Sequence, residues 1–168
     1  MKRKEEQCRE CGGKAEVIRG TYQFKESGLN NVVLHGVEIV NCRECGEEQV
    51  AIPNMDDLMR TIALALVTKP YGLRGEEIRF LRKYLRMTGE QFSRLLHVDK
   101  TTLSKWENND DKVGSQSDLL IRSYALNLGE GLREKVDQIM RDFDKIDVIN
   151  KRKPTVEVDA QTNQYQYA

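Results

Sequence analysis

The sequence predicts an α+β protein, with a small β domain at the N-terminus followed by an all-α domain. Three observations carry this expectation: two Cys-x-x-Cys pairs, segments rich in β-branched and aromatic residues between them, and a switch to helical periodicity after Pro53. The chain has 168 residues, with 27 Lys+Arg against 27 Asp+Glu. That length suits one ordinary domain or two small ones. Zero net charge excludes a wholly basic nucleic-acid coat and leaves room for a local basic face. The longest strongly apolar run, around residues 62–67, is far short of the roughly 20 residues a bilayer requires, so no membrane partner is expected. No apolar stretch follows the first six residues, so no signal peptide is expected and the compartment is taken as cytoplasmic.

The pairs are Cys8-Arg-Glu-Cys11 and Cys42-Arg-Glu-Cys45, each followed by a glycine, with thirty residues between them. A cytoplasmic chain keeps its thiols reduced, so a disulfide framework is not expected. Two matched pairs fit a tetrahedral site in which Cys8, Cys11, Cys42 and Cys45 hold one Zn2+ per chain. Residues i and i+3 of a tight turn bring two sulfurs to one metal. Gly12 and Gly46 can take positive φ and let backbone N–H groups approach the sulfurs. Four thiolates close the coordination sphere, so the zinc is expected to be structural, supplying folding energy to a module too small for a full core. Residues 16–25 and 32–40 read as strands joined by a turn at 27–31, and 48–52 as a third short strand. Together they predict a zinc-ribbon-like domain over residues 1–53. His35 falls mid-strand and is read as a half-exposed strand residue.

After Pro53, Asn54 is placed as an N-cap with Asp57 at N3, and Met55, Leu58, Met59, Ile62 and Leu66 recur at helical spacing. A helix over 55–68 is expected to stop before Lys69-Pro70, and Pro70 to Gly75 to act as a hinge. Residues 76–85 form a further helix. Thr88 and Gln91 fit a capping box that opens a short helix with Phe92, Leu95 and Leu96 inward. His97-Val98-Asp99 reads as a tight turn, with Asp99 capping the next helix, Lys100 to Asn108. Two short helices about such a turn make a helix-turn-helix. In the second helix Leu103 and Trp106 point inward, while Lys100, Thr101, Ser104, Lys105 and Asn108 fall on the opposite face. Short polar side chains beside a long cation suit base edges in double-stranded DNA, since Lys donates to guanine and Thr contacts thymine or a polar base edge. Between Pro70 and Asn109 there are eight basic and five acidic residues, a modest positive excess of the kind phosphate contact requires.

The order Cys-x-x-Cys-Gly, Cys-x-x-Cys-Gly, helix-turn-helix resembles the MqsA/YgiT-type antitoxin family, whose second half is an Xre-like helix-turn-helix. The stretch Val33-Leu34-His35-Gly36-Val37 before Cys42 is similar to the family's strand before its second knuckle. Phe92-x-x-Leu95-Leu96-x-Val98 and Thr102-Leu103-Ser104-Lys105-Trp106-Glu107 are similar to the Xre-like core. The resemblance covers about residues 8–129. It implies a structural zinc domain that binds a cognate toxin, often an RNA-cleaving enzyme. It also implies a dimeric helical domain that binds a palindromic operator and represses its own operon, with Thr101 and Lys105 at the base-reading positions. The chain departs from the pattern at Gly89, where glutamine is common, and at Asn109, where glycine is usual; the proline that usually follows is missing.

Residues 115–128 and 132–149 read as two more amphipathic helices, the first completing the core and the second either offering a dimer surface or folding back on its own subunit. Two recognition helices need a symmetric partner to read half-sites about 34 Å apart, so a homodimer is expected. The expected organisation is 1–53 zinc-binding domain, 54–75 linker helix and hinge, 76–149 helix-turn-helix domain with C-terminal helices, and 150–168 mobile tail. Alternation over 155–159 is compatible with a short strand within that tail. No Ser/His/Asp set, paired-carboxylate site, phosphate loop or open metal position stands out, so no enzyme activity is expected. The functional expectation is a DNA-binding autorepressor and antitoxin. The alternative is a zinc-ribbon protein-interaction adaptor without operator-specific DNA binding, and a thiol redox enzyme stands third.

Overall fold

The computed structural model describes residues 4–129, 131–132, 145–150 and 152–168. Its architecture is α+β. Strand β2, Lys14–Gln23, and strand β3, Val32–Cys42, form a long antiparallel hairpin. β1, Lys4–Gln7, adds to the free edge of β2. Along β3 the inward residues are Val32 and Leu34, then Val37 and Ile39. This change of parity has a local cause. The register with β2 slips at Gly20/Thr21, and Gly36 is the extra residue on β3. Its φ of 72° is open to glycine at no steric cost, so the bulge turns the strand while keeping one face inward.

The other edge of β3 is shared. β4, Glu48–Ala51, pairs antiparallel with Glu38–Asn41 of β3. β5, Val156–Asp159, pairs parallel with Val32–His35, and β6, Gln164–Tyr167, closes the sheet beyond it. The expectation of a mobile tail over 150–168 is therefore corrected: most of it is a β-hairpin built into the sheet. The physical reason is period-two burial. Val156 and Val158 are buried, and Tyr165 and Tyr167 pack on the core between exposed Gln164 and Gln166. The Tyr165 and Thr68 hydroxyls lie 2.7 Å apart, the Tyr167 hydroxyl donates to the Ala65 carbonyl, and Asn31 Nδ2 donates to the Pro154 carbonyl at 2.7 Å.

Helix α1, Met55–Thr68, starts as its cap predicts: Asn54 accepts from the Asp57 N–H at 3.2 Å. It is not a linker. Every residue from Thr61 to Val67 is buried, with β5 and β6 touching the helix. The later helices are α2, Gly75–Tyr84; α3, Gly89–Leu95; α4, Lys100–Glu107; and α5, Ser115–Leu128, of which α2 and α5 pack against α1. A single apolar cluster runs from Val32 and Leu34 in the sheet, through Ile62 and Leu66, to Phe92, Leu103 and Trp106.

Residues 70–75 are not free to hinge. The buried Arg122 guanidinium donates to the carbonyls of Val67 at 2.6 Å, Lys69 at 3.0 Å and Tyr71 at 2.6 Å. Asp118, one turn earlier on α5, binds Arg122 Nε at 2.7 Å and takes the Leu73 N–H at 2.6 Å. Lys69, itself buried, pairs with buried Glu77 at 2.5 Å. A helix end leaves its last carbonyls unpaired, and here one arginine collects them. Gly75 fits because a Cβ there would lie 2.3 Å from the Trp106 carbonyl. The second C-terminal helix expected over 132–149 lies mostly outside the described residues. Within that stretch, Leu132 is buried, and the Asp147 carbonyl accepts from the Gly72 N–H at 3.1 Å.

Candidate functional site

Both Cys-x-x-Cys pairs sit in hairpin turns at one end of the sheet, between β1 and β2 and between β3 and β4. Ala15 pairs with Cys42 across β2 and β3, which sets the two turns side by side. The ligand atoms of Cys8, Cys11, Cys42 and Cys45 all lie within 4.8 Å of one another. Cys8 and Cys45 sulfurs are 3.7 Å apart, and Cys11 and Cys42 sulfurs 3.5 Å. A disulfide needs about 2.05 Å. A tetrahedral thiolate centre with metal–sulfur bonds of about 2.3 Å places its sulfurs about 3.8 Å apart. These two separations match the second geometry, and the four sulfurs together could hold one metal ion.

Backbone geometry prepares the sulfurs for charge. Gly12 and Gly46 take φ of 73° and 74°, as their places after the knuckles predict. The Gly13 N–H points at Cys11 Sγ at 3.4 Å, and the Glu44 and Cys45 N–H groups point at Cys42 Sγ at 3.4 and 3.5 Å. The Cys45 and Glu44 amides pull the Cys42 thiol down to about 6. At Cys45 the Glu47 amide also lowers the thiol, but the neighbouring Cys42 and Cys11 sulfurs outweigh it and push it up to about 12. Four crowded sulfurs hold back one another's ionisation unless a cation sits among them. The donor set thus fits a metal on its own chemistry.

Glu44 was not singled out by sequence. Its carboxylate folds over the first knuckle, accepting from the Lys14 N–H at 3.2 Å, and a Cβ on Gly13 would run into it at 2.4 Å. Arg43 reaches back to Glu16 at 2.9 Å. Both knuckles read Cys-Arg-Glu-Cys, so no sequence signal separates Glu44 from Glu10. His35 is half-buried as expected, with Nδ1 3.2 Å from the Thr21 hydroxyl.

The polar helix face lies elsewhere. Cys8, Ala15 and Cys42 form their own small apolar cluster, separate from the core that holds Leu103 and Trp106. The Thr88 capping box forms in full, and α3 leads through residues 96–99 into α4. His97 carries the turn with φ of 54°. Asp99 takes the N-cap position but makes no side-chain cap bond, a correction to its expected role. On α4, Leu103 and Trp106 are buried, and Lys100, Thr101, Ser104, Lys105 and Asn108 are exposed. Among the described residues the side chains of Lys100, Thr101 and Lys105 have no partner in the chain. Asn108 differs: it caps the helix, and its Oδ1 accepts from Arg79 at 2.5 Å. Asn109 sits in the left-handed region at φ of 61°, as expected where glycine is usual, and accepts from the Gly75 N–H at 2.8 Å.

Arg79 and Arg82, two of the eight basic residues between Pro70 and Asn109, both engage Glu107, Arg82 in a two-pronged contact at 2.6 and 3.0 Å. One of their two positive charges is thereby offset before any ligand arrives. No helix among the described residues is long and apolar enough to cross a membrane. Set against protein-family models, curated proteins and solved structures, the chain matches none of them.

Proposed function

We propose that this protein is a sequence-specific DNA-binding regulator, built as a zinc-ribbon-like module joined to a helix-turn-helix, and that it is not an enzyme. One observation carries the reading. Lys100, Thr101 and Lys105 stand exposed and unpartnered on one face of α4, while Leu103 and Trp106 anchor the opposite face in the core. A helix fixed from behind, presenting short donors and a free cation, suits the major groove. The metal is zinc, bound once per chain by Cys8, Cys11, Cys42 and Cys45, and its role is structural because four thiolates leave no open position. A cytoplasmic homodimer on a palindromic operator follows from the need for two such helices. The resemblance of the paired knuckles and the Xre-like segment to MqsA/YgiT-type antitoxins supports autorepression and a toxin partner.

The test is binding to duplex DNA from the region upstream of the protein's own reading frame. Lys105→Ala should weaken specific binding by about 1–3 kcal/mol while leaving thermal unfolding unchanged. Affinity of the unmodified protein should fall with salt by about 0.9 log units per log unit for each phosphate neutralised. The second reading, a protein-interaction adaptor, draws support from the pairing of Arg79 and Arg82 with Glu107, which offsets one of their two positive charges. A flat salt response with Lys105→Ala unchanged would establish that reading instead.

A further inference from the structure

We infer that the cleft beside the uncovered stretch of β3 is a docking surface for an acidic, extended peptide segment of a partner protein. β5 covers β3 from Val32 to His35 and β4 covers it from Glu38 to Asn41, so Gly36 and Val37 face no strand on that edge. A cleft of about 780 Å³ opens at this notch. That is the size of a real ligand site, for which about 300–1,000 Å³ is usual. Val50, Ile52 and Ala160 give it a partly exposed apolar lining, and Arg9 and Arg19 contribute two guanidinium groups. Arg9 has no partner among the described residues. Arg19 has only a loose contact with Glu38 at 3.6 Å, both side chains being well exposed.

This chemistry selects the partner. A guanidinium binds a carboxylate through two parallel hydrogen bonds, and exposed arginines beside an apolar surface are the usual anchors of such contacts. In an extended peptide alternate side chains share a face, so carboxylates can reach the arginines while an aliphatic residue meets the Val50–Ile52 surface. Nucleic acid fits less well. Glu38 sits in the same cleft and leaves one positive charge in excess, whereas a duplex presents a phosphate charge about every 1.7 Å. The cleft lies on the sheet and shares no residue with the α4 face, so the inference does not depend on the DNA-binding reading.

The experiment titrates the full-length metal-loaded chain into a fluorescein-labelled peptide of sequence Asp-Leu-Glu-Val-Asp, followed by anisotropy, beside a Lys-Leu-Lys-Val-Lys counterpart. The acidic peptide should bind at least about tenfold more tightly than the basic one, and Arg9→Glu should remove about tenfold or more of that affinity. Because Arg9 adjoins Cys8, metal content is measured on the variant. Arg19→Glu, remote in sequence from the knuckles, should act in the same direction. Ile52→Asp should also weaken binding. Lys105→Ala should leave peptide binding unchanged, and Arg9→Glu should leave DNA binding unchanged, which keeps the two sites' failures distinguishable. Equal binding of the two peptides, or of neither, overturns the inference. So does an affinity unmoved by both arginine reversals, or displacement of the peptide by a single-stranded oligonucleotide.

Discussion

At the cysteine end of the sheet the buried apolar residues are Cys8, Ala15 and Cys42, whereas around α1 more than a score of buried side chains form one connected core. The ionic groups follow the same division. Near the knuckles the pairs Arg43–Glu16 and Arg19–Glu38 are solvent-exposed, and exposed pairs contribute little. Against α1, Lys69–Glu77 and Arg122–Asp118 are fully buried. One end therefore lacks a core of its own, and in the proposed reading a metal held by the four cysteines would replace it. The other has a core large enough to accommodate four buried charges, and uses them to fix the path between α1 and α2. The two ends of the chain thus draw on different groups for their order, clustered sulfurs at one and buried apolar and ionic side chains at the other, although β3 runs through both.

The strongest way to break this comparison is to remove the metal. Structural zinc sites contribute about 10–16 kcal/mol in isolated peptides, far more than three buried residues supply. A chelator should abolish hydrogen-exchange protection around Cys8–Gly13 and Arg43–Glu47, while amides of α1 and α5 stay protected. Uniform loss of protection would show that the two ends are not independent.

Arg122→Ala probes the other end. It takes the guanidinium away from buried Asp118, which keeps the Leu73 N–H, and releases the carbonyls of Val67, Lys69 and Tyr71. Breaking a buried pair from one side costs about 3–5 kcal/mol, which denaturant unfolding will register without change in metal content. The apolar double variant Arg122→Met with Asp118→Leu should be milder than the single one, since no charge is stranded.

The smallest effect expected is acid dependence at Glu76. Burial alone would raise its carboxyl, but Lys153 and Asn109 bind it and bring it down to about 2. A depressed folded-state value means the stabilisation is complete above the ordinary carboxylate range and is lost as pH falls from about 4.5 towards 2. In Glu76→Gln, thermal unfolding should lose part of its slope in that window and be unchanged in slope near neutrality.

What was legible in the sequence was local. The knuckles follow from i,i+3 cysteines with a glycine behind them, α1 from a cap and a stripe, and α3 from Thr88 and Gln91. On α4 the split between Leu103 and Trp106 and the polar side chains is likewise a matter of spacing within eight residues. What was not legible depends on partners distant in the chain. The Val32 to Val156 pairing spans the molecule, and nothing near either residue announces it. The alternation Gln164-Tyr165-Gln166-Tyr167 was there to be read, but low mean hydropathy hid that every second residue packs inward. In the sequence nothing separates Arg122 and Asp118 from an ordinary i,i+4 charge pair, because only the fold shows that their side faces α1.

The parallel pairing of β5 on β3 also dictates an order of events during synthesis. Parallel strands so far apart in sequence close slowly, because the long intervening chain must be restrained first. A ribosome will have released both knuckles and every helix before it emits the residues that seal the edge of β3. The nascent chain can bring its four cysteines together early, yet it carries an open sheet flank until Val156 to Tyr167 has left the ribosome, and that interval is when chaperones and stray strands compete for it.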